Sequence, residues 1–255
     1  MRRVLITGST TGLGEGAARR LVEEGHEVVL HARNEARIAD VDDLAERAVG
    51  VVIGDLASAA GVRDLAQQVD GIGGIDAVIH NAGIYVDSQR VITPDGHART
   101  LAVNVLAPYL LTAWMARPSR LVYLSSGMHA SGDASLDDLN WNVRRWDGVQ
   151  AYCDSKLFVT TLAGALARRW TGTSVNTVDP GWVPTRMGGP GATDDLALGH
   201  ETQSWLAASD DPEATSSGGY WYHRRRRDPA AAAIDPTFQD DLLDQLAGLT
   251  GVPLV

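Results

Sequence analysis

Arg3-Val4-Leu5-Ile6-Thr7 is followed directly by Gly8-Ser9-Thr10-Thr11-Gly12-Leu13-Gly14-Glu15-Gly16. The first run is aliphatic and β-branched, which predicts a buried strand, and residues 17–24 read as a helix. Glycines between the strand and the helix allow the backbone to turn tightly and to approach a pyrophosphate closely. The free N–H groups at the start of the helix favour the negative charge of that pyrophosphate. The spacing is GxxxGxG rather than the better-known GxGxxG, and a glycine-rich turn alone could be an ordinary loop. Its place after a first buried strand favours a dinucleotide site with these contacts: Gly8, Thr10, Thr11, Gly12, Leu13 and Gly14.

A tyrosine and a lysine stand four residues apart in Tyr152-Cys153-Asp154-Ser155-Lys156, and Lys156 is the only lysine in the chain. On a helix this spacing places both side chains on one face. A compact ammonium there favours the phenolate and lowers the pKa of Tyr152, which a planar guanidinium would not readily do. The pair therefore predicts an acid and base at Tyr152, and the alternative is an exposed helical pair with no function.

Apolar runs alternate with helical patterns along the rest of the chain. Strands are predicted at residues 27–31, 49–53, 77–80, 121–125, 174–178 and 219–222, and helices at 34–48, 58–69, 97–114, 149–170 and 234–249. This alternation predicts an α/β fold with one domain over residues 1–255, a Rossmann-type doubly wound parallel sheet of about seven strands with helices on both faces. Ligands of such sheets bind at the carboxyl ends of the strands. These residues fall near such ends: Arg33, Asp55, Asn81, Ser126 and Pro180.

Four motifs occur in a fixed order along the chain: Thr7-Gly8-xxx-Gly12-x-Gly14, Asn81-Ala82-Gly83, Tyr152-xxx-Lys156 and Pro180-Gly181. With them the sequence resembles the compact single-domain branch of the short-chain dehydrogenase/reductase family, from residue 4 to about residue 185. Within that family it is most similar to the retinol dehydrogenase-like carbonyl reductases, through Ala32-Arg33-Asn34, Ser125-Ser126 with His129 nearby, Asp138-Leu139-Asn140 and Ser155-Lys156-Leu157. The resemblance implies an oxidoreductase that transfers hydride between nicotinamide and a carbonyl or CH–OH group.

The same resemblance implies roles for individual residues. Ser126 would hold the substrate oxygen, with Ser125 as the alternative, Tyr152 would deliver the proton, and Lys156 would bind the nicotinamide ribose while stabilising the phenolate. Asn104 matches the asparagine that orders a water relay behind the lysine. Asp55 would accept from the adenine amino group, although it could simply cap the following helix. The further cofactor contacts that the resemblance implies are Leu56, Asn81, Ala82, Gly83, Pro180, Gly181, Val183 and Thr185.

The end of the second strand bears on the choice between NAD(H) and NADP(H). An acidic residue there would bind the ribose hydroxyls of NAD and repel an added phosphate, but the chain reads His31-Ala32-Arg33-Asn34 with no carboxylate before Glu35. Arg33 can instead make a charge-assisted contact with the 2′-phosphate, the alternative being a solvated loop arginine. The sequence therefore favours NADP(H) over NAD(H).

Aromatic and apolar residues near the predicted site favour a flat hydrophobic substrate. The substrate contacts predicted are Ser126, Met128, Trp182 and Met187. Segment 188–215 is predicted to be a lid or a static cap, because its glycine-rich start leads into a helix at 194–208. His129 could touch substrate or merely satisfy local hydrogen bonds, and no clustered ligands suggest a metal.

Composition bounds the remaining classes of partner and location. A chain of 255 residues, 44% of them hydrophobic, can bury one large core, and its formal net charge of −10 argues against nucleic-acid binding. The single cysteine, Cys153, the lack of a targeting signal and the lack of a membrane span predict a cytoplasmic protein.

The run Arg224-Arg225-Arg226-Arg227 is predicted to be a solvated turn. The last helix could close the sheet edge or form a contact in a homodimer or homotetramer.

Three functions follow from these features. The first is an NADPH-dependent carbonyl reductase, the second an NAD-linked alcohol dehydrogenase, and the third a non-catalytic NADP(H)-binding sensor or scaffold. In the enzymatic cases Tyr152 needs its pKa lowered by about three units from a usual value of about 10. Lys156 and an oxidised nicotinamide ring are expected to supply that together.

Overall fold

A computed structural model describes residues 1–254 of the chain as one α/β domain built on a single sheet. The strands are β1 (Arg3–Ile6), β2 (Glu27–Ala32), β3 (Gly50–Ile53), β4 (Ala77–His80), β5 (Arg120–Leu124), β6 (Ser174–Asp179), β7 (Tyr220–Tyr222) and β8 (Arg225–Arg227). Their order across the sheet is β3-β2-β1-β4-β5-β6-β7-β8, parallel from β3 to β7. The predicted doubly wound fold is confirmed, and the order reverses between β1 and β4, where such sheets form a ligand crevice.

The eighth strand is a correction to the predicted count of about seven. Arg225–Arg227 pairs antiparallel with β7, so three of the four arginines in the predicted solvated turn extend the sheet. Their side chains are exposed, and Arg227 stacks over the Tyr222 ring at 3.8 Å from its centroid. Charged side chains on an edge strand discourage pairing with another chain.

Helices cover both faces of the sheet. They are α1 (Gly12–Glu23), α2 (Asp42–Ala45), α3 (Ala59–Ile72), α4 (Arg99–Leu101), α5 (Ala107–Trp114), α6 (Gly148–Arg169), α7 (Leu196–Ala208) and α8 (Pro236–Thr250). The helix predicted at 34–48 is replaced by two 3₁₀ turns and the short α2, since only Val41 and Leu44 in this stretch are anchored in the core. The helix predicted at 97–114 is interrupted by a π-helical stretch, Ala102–Leu106.

The alternation of β1 side chains divides the core into two layers. Val4 and Ile6 pack with α1, α2 and α7 on one face, whereas Leu5 packs with α3, α5, α6 and α8 on the other. The leucines of α8 lie against α6, and the Tyr109 hydroxyl of α5 donates to the Val252 carbonyl at 2.6 Å. Helix α8 therefore packs on α6 of its own chain. Within residues 1–254, no helix has both the length and the apolar character to cross a bilayer.

Helix α7 forms the middle of segment 188–215, which the sequence predicts as a lid or cap. Its inward face is buried against α1 and the sheet. The buried Arg120 guanidinium donates to the carbonyls of Leu206 and Ser209, at 3.0 and 2.6 Å. These contacts fix α7 to the core and favour the static cap for this part of the segment.

Candidate active site

The glycine turn between β1 and α1 has the shape that the sequence predicts. Gly8 and Gly12 have φ of +66° and +60°, which favour glycine. A Cβ on Gly14 would overlap the Gly8 carbonyl oxygen and the Asn81 amide, so the turn closes only around glycine. Thr11 precedes the helix without capping it through its side chain, which leaves the first helix amides facing a cradle suited to a pyrophosphate.

The loop after β4 is tied to this turn. The Asn81 side-chain amide donates to the carbonyls of Thr7 and Gly8 at 2.9 and 3.2 Å, and the Ala82 N–H donates to the Thr7 hydroxyl at 3.0 Å. Asn81, which the resemblance places against the adenosine, thus uses its amide to hold the turn. Gly83 continues toward the catalytic side, where a Cβ would lie 3.6 Å from the Lys156 ammonium.

The carboxyl ends of β2 and β3 carry the residues predicted on the adenosine side. Arg33 is exposed and has no ion pair among the described residues, whereas neighbouring Arg37 pairs with Asp40 at 2.9 Å. Within residues 1–254 the Asp55 carboxylate accepts only from the Ala57 N–H, at 2.9 Å, and Ser58 caps α3, so capping does not account for the Asp55 side chain. Leu56 beside it is buried. The guanidinium of Arg33 and one oxygen of Asp55 are therefore available at this edge.

Residues after β6 close the crevice from the other side. Gly181 has φ of +82°, and the side chain of Thr185 lies next to the turn, where a Cβ on Gly12 would be 3.4 Å from its Cγ2. Val183 is buried behind Pro180 and Gly181. The loop therefore places the predicted contacts Pro180, Gly181, Val183 and Thr185 along the same crevice as the glycine turn.

The structure brings Ser126, Tyr152 and Lys156 together at the carboxyl end of β5. The Ser126 hydroxyl accepts from the Met128 N–H at 3.2 Å and lies near enough to the Tyr152 phenol to act on its pKa. Lys156 lies one helical turn beyond, its Nζ 5.6 Å from the Tyr152 ring centroid and donating to the Leu124 carbonyl at 2.8 Å. Ser125 is buried and shares a 2.7 Å hydrogen bond with the Thr160 hydroxyl, so the geometry favours Ser126 over Ser125.

Asn104 lies in the π-helical stretch behind this group. Its side-chain oxygen accepts from the Ile84 N–H at 2.8 Å, and its amide donates to the Ile84 carbonyl and the Ser155 hydroxyl at 3.0 and 2.9 Å. Asn104 thus joins the loop after β4 to the catalytic helix. A π-helical turn is common at functional sites.

Burial dominates the protonation of the tyrosine and lysine. It raises the pKa of Tyr152 to about 12, although the neighbouring Ser126 hydroxyl acts to lower it. Burial likewise lowers the pKa of Lys156 to about 8, against the charge of Asp179. The expectation that the lysine lowers the pKa of Tyr152 is therefore not met by Lys156 alone, whose ammonium points to the Leu124 carbonyl.

Sequence reasoning missed a buried carboxylate beside this group, Asp179. It ends β6, accepts from the Gly181 N–H at 3.0 Å, and would be 3.2 Å from a Cβ on Gly127, next to Ser126. Its other neighbour is the Tyr220 hydroxyl, whose pKa is raised by burial and by the Asp179 charge. The sequence feature that could have identified Asp179 is its position at the end of a predicted strand, directly before Pro180-Gly181.

His129 positions the catalytic loop. Its Nε2 accepts from the Ala230 N–H at 2.9 Å, so Nδ1 carries the proton and donates to the Ser126 carbonyl at 2.8 Å. Both ring nitrogens are thus occupied within the protein. The local hydrogen-bonding alternative describes His129 better than a substrate contact does.

Three predicted substrate residues are exposed or partly buried. Trp182 and Met187 are 55% and 44% exposed, and Met128 is partly buried next to Ser126. Tyr85 adds a ring packed edge-on against Tyr152, with centroids 4.8 Å apart. These residues expose apolar and aromatic surface. Within residues 1–254, no three His, Cys, Asp or Glu side chains converge as metal ligands would.

The chain is similar to known proteins over most of its length. The family model described as enoyl-(acyl carrier protein) reductase matches residues 8–215. Short-chain dehydrogenase chyC of Penicillium rubens is 44% identical over 213 residues, or 82% of each chain. Retinol dehydrogenase 13 of Homo sapiens is 32% identical over 201 residues, which are 73% of this chain and 60% of its own.

Solved structures agree in fold. A protein from Mycobacterium paratuberculosis superposes with a TM-score of 0.85 at 27% identity, covering 100% of this chain and 95% of its own. A short chain dehydrogenase from Burkholderia cenocepacia, solved in complex with NADP, gives 0.68 at 24% identity, covering 87% and 95%. With the ordered motifs and the relatives above, these findings confirm the resemblance drawn from the sequence: the chain belongs to the short-chain dehydrogenase/reductase family of oxidoreductases.

Proposed function

We propose that this protein is an NADP(H)-dependent carbonyl reductase that transfers hydride between nicotinamide and the carbonyl or secondary alcohol of a hydrophobic small molecule. The observation that carries the proposal is the convergence of Ser126, Tyr152 and Lys156 beside Gly83, on the crevice that the glycine turn opens. When bound there, the nicotinamide supplies or accepts the hydride.

The residues of the chain position the carbonyl and move the proton. Ser126 holds the carbonyl oxygen by a hydrogen bond, and Tyr152 gives its proton to that oxygen as the alcohol forms. A phenol with a pKa of about 12 is fully protonated at neutral pH, ready to act as the acid. Lys156, with its charge favoured by Asp179, stabilises the phenolate that remains, and Asn104 steadies the helix behind it.

The preference for NADP(H) rests on Arg33. Among residues 1–254 its exposed guanidinium has no ion pair, and the end of β2 carries no carboxylate before Glu35 to oppose a 2′-phosphate. Structural neighbours include one solved with NADP and one solved with NADH, so they support a nicotinamide cofactor without favouring either form. The exposed aromatic and apolar side chains of Trp182, Met187 and Tyr85 support a hydrophobic substrate, and one relative is named for retinol, a hydrophobic alcohol.

The lid is proposed for the loop that precedes α7. Trp182 donates from its indole to the Gly188 carbonyl at 2.8 Å, and Asp194 accepts from the Trp182 N–H at 2.8 Å. The loop between these anchors carries Gly189 with φ of +74° and the exposed Met187. We propose that residues 186–193 move over bound substrate while α7 stays in place.

The direct test is NADPH consumption across a panel of ketones, aldehydes and quinones, followed at the absorbance of the reduced nicotinamide. We expect turnover with at least one apolar member of the panel and faster turnover with NADPH than with NADH. NADPH binding without turnover on any panel member would favour the sensor instead. Faster turnover with NADH would favour the NAD-linked dehydrogenase.

Asp179 provides a pH test of the role of Tyr152. The groups that face this phenol are Tyr85, Ser126, Cys153, Lys156, Asp179 and Tyr220. Among them, Asp179 raises the pKa of Tyr152 through its charge, so Asp179→Asn should lower that pKa. The phenolate then forms at lower pH. The acid limb of alcohol oxidation and the alkaline limb of carbonyl reduction should therefore both move to lower pH.

Profiles of kcat/KM against pH in both directions measure this shift. Asp64→Asn, on the exposed surface of α3, removes one charge far from the site and serves as the control. Unchanged limbs in Asp179→Asn, with activity otherwise retained, would show that this carboxylate does not act on Tyr152.

A further inference from the structure

His31, the second-last residue of β2, is buried, and its ring joins two loops of the cofactor crevice. The Gly8 N–H donates to Nδ1 at 2.9 Å, and Nε2 lies 2.9 Å from the Gly54 carbonyl oxygen. Because the Gly8 N–H is a donor, Nδ1 must accept and the ring proton is on Nε2, which donates to Gly54. One neutral tautomer therefore satisfies both partners.

The backbone of His31 adds two contacts to the same turn. Its N–H donates to the Ser9 hydroxyl at 2.8 Å, and its carbonyl accepts from the Ser9 N–H at 3.2 Å. The residue thus connects the turn after β1, the end of β2 and the residue before Asp55. These three positions lie at the carboxyl ends of the neighbouring strands β1, β2 and β3.

We propose that His31 is a positioning residue for the nucleotide, setting the orientation of the glycine turn relative to the loop that carries Asp55. The inference rests on the proposed NADP(H) function. Gly8 has φ of +66° and, as a glycine, has little conformational preference of its own. The ring acceptor fixes the direction of its N–H, and so the orientation of the peptide that leads into the phosphate-facing amides. The Nε2 bond fixes the other side of the crevice at Gly54.

Burial supports this role by keeping the ring neutral. It lowers the pKa of His31, and the opposing effects of the Gly54 carbonyl and the Asp55 charge are smaller. A protonated ring would carry hydrogen on Nδ1 and could no longer accept from Gly8. At neutral pH the acceptor is therefore retained.

Two amide variants separate the two ring contacts. In His31→Asn the side-chain oxygen can take the place of Nδ1 and accept from Gly8, but it does not reach Gly54. In His31→Gln the amide can take the place of Nε2 and donate to Gly54, but no acceptor faces Gly8. His31→Leu removes both contacts. A buried N–H without a partner is costly, whereas a carbonyl tolerates the loss better.

The experiment titrates NADPH into each variant, follows the nicotinamide fluorescence, and records the thermal midpoint alongside. We expect the NADPH Kd to rise about tenfold in His31→Gln and His31→Leu, and no more than about threefold in His31→Asn. Thr112→Val is the matched control, because it breaks a separate buried network with His80 and Tyr123. It should lower the thermal midpoint and leave the Kd unchanged.

The outcomes are distinct. Absence of NADPH binding by the unmodified protein would contradict the proposed function itself. Normal binding by that protein together with unchanged Kd in His31→Gln would overturn the positioning role alone. A Kd in His31→Asn as weak as in His31→Leu would also overturn it, since the acceptor for Gly8 would then not matter.

Discussion

Tyr152→Phe should lower kcat by about 10²- to 10⁴-fold while NADPH binds with nearly unchanged affinity. This range is the usual contribution of general acid–base catalysis. The phenol is buried, and the neighbouring Ser126 hydroxyl acts on its pKa. Phenylalanine keeps the ring packed against Tyr85 and removes only the proton donor. Steady-state kinetics on the best panel substrate, with NADPH titration in parallel, measures both quantities.

Tyr109→Phe is the matched control. It removes another hydroxyl with a hydrogen bond of its own, to the Val252 carbonyl on the far side of α5. We expect a modest loss of thermal stability and normal turnover. If Tyr152→Phe turned over as fast as the unmodified protein, Tyr152 would not be the acid, and a proton donor elsewhere would have to be sought.

Tyr152 also shows which part of the site a sequence can predict. The four-residue spacing to Lys156 places both side chains at one helix face, a local property that the sequence carries directly. The pKa is not local, because it depends on how many apolar groups from other elements exclude water from the phenol. Burial accordingly outweighs the lysine in the structure. A bound oxidised nicotinamide ring would add the second positive charge that the sequence predicts.

The glycine turn was predictable for a similar reason. Strand, turn and helix are adjacent in sequence, and the residue types state the backbone conformation that each position needs. His31 and Asp179 were not assigned because their partners lie 23 residues away at Gly8 and Gly54 or on neighbouring strands. Each is an isolated polar residue at a strand end, which becomes informative only once the strand order is known.

Strand β8 was not predicted from the sequence, because its residues lack the alternation of apolar and polar side chains that indicates a strand. Three arginines are held in the sheet by backbone pairing with Tyr220–Tyr222, so its stability comes from the neighbouring strand. The connecting turn gave no signal either. His223 and Arg224 have φ of +48° and +59°, whereas two-residue hairpin turns of this kind usually contain glycine or asparagine.

Arg33→Asp should weaken NADPH binding by about 10²-fold and NADH binding by only about twofold. The wild-type guanidinium is exposed, free of ion pairs within residues 1–254, and next to the glycine turn. A charge-assisted contact with the 2′-phosphate is worth about 1.5–3 kcal/mol. Reversal of the charge adds repulsion, and a carboxylate at this strand end favours the free ribose hydroxyls of NADH. Fluorescence titration of both cofactors at fixed ionic strength gives the two Kd values.

Two further variants distinguish a phosphate contact from a general change of charge. Arg33→Lys keeps the charge but loses the planar fork, so NADPH binding should weaken by only about tenfold. Arg37→Asp reverses a charge nearby, but this arginine is already paired with Asp40, and the ratio of the two Kd values should barely change. Because charge repulsion is screened by salt, the NADPH defect of Arg33→Asp should shrink as ionic strength rises. Equal weakening of NADPH and NADH in Arg33→Asp would remove the phosphate role from Arg33 and return the cofactor choice to the ribose contacts alone.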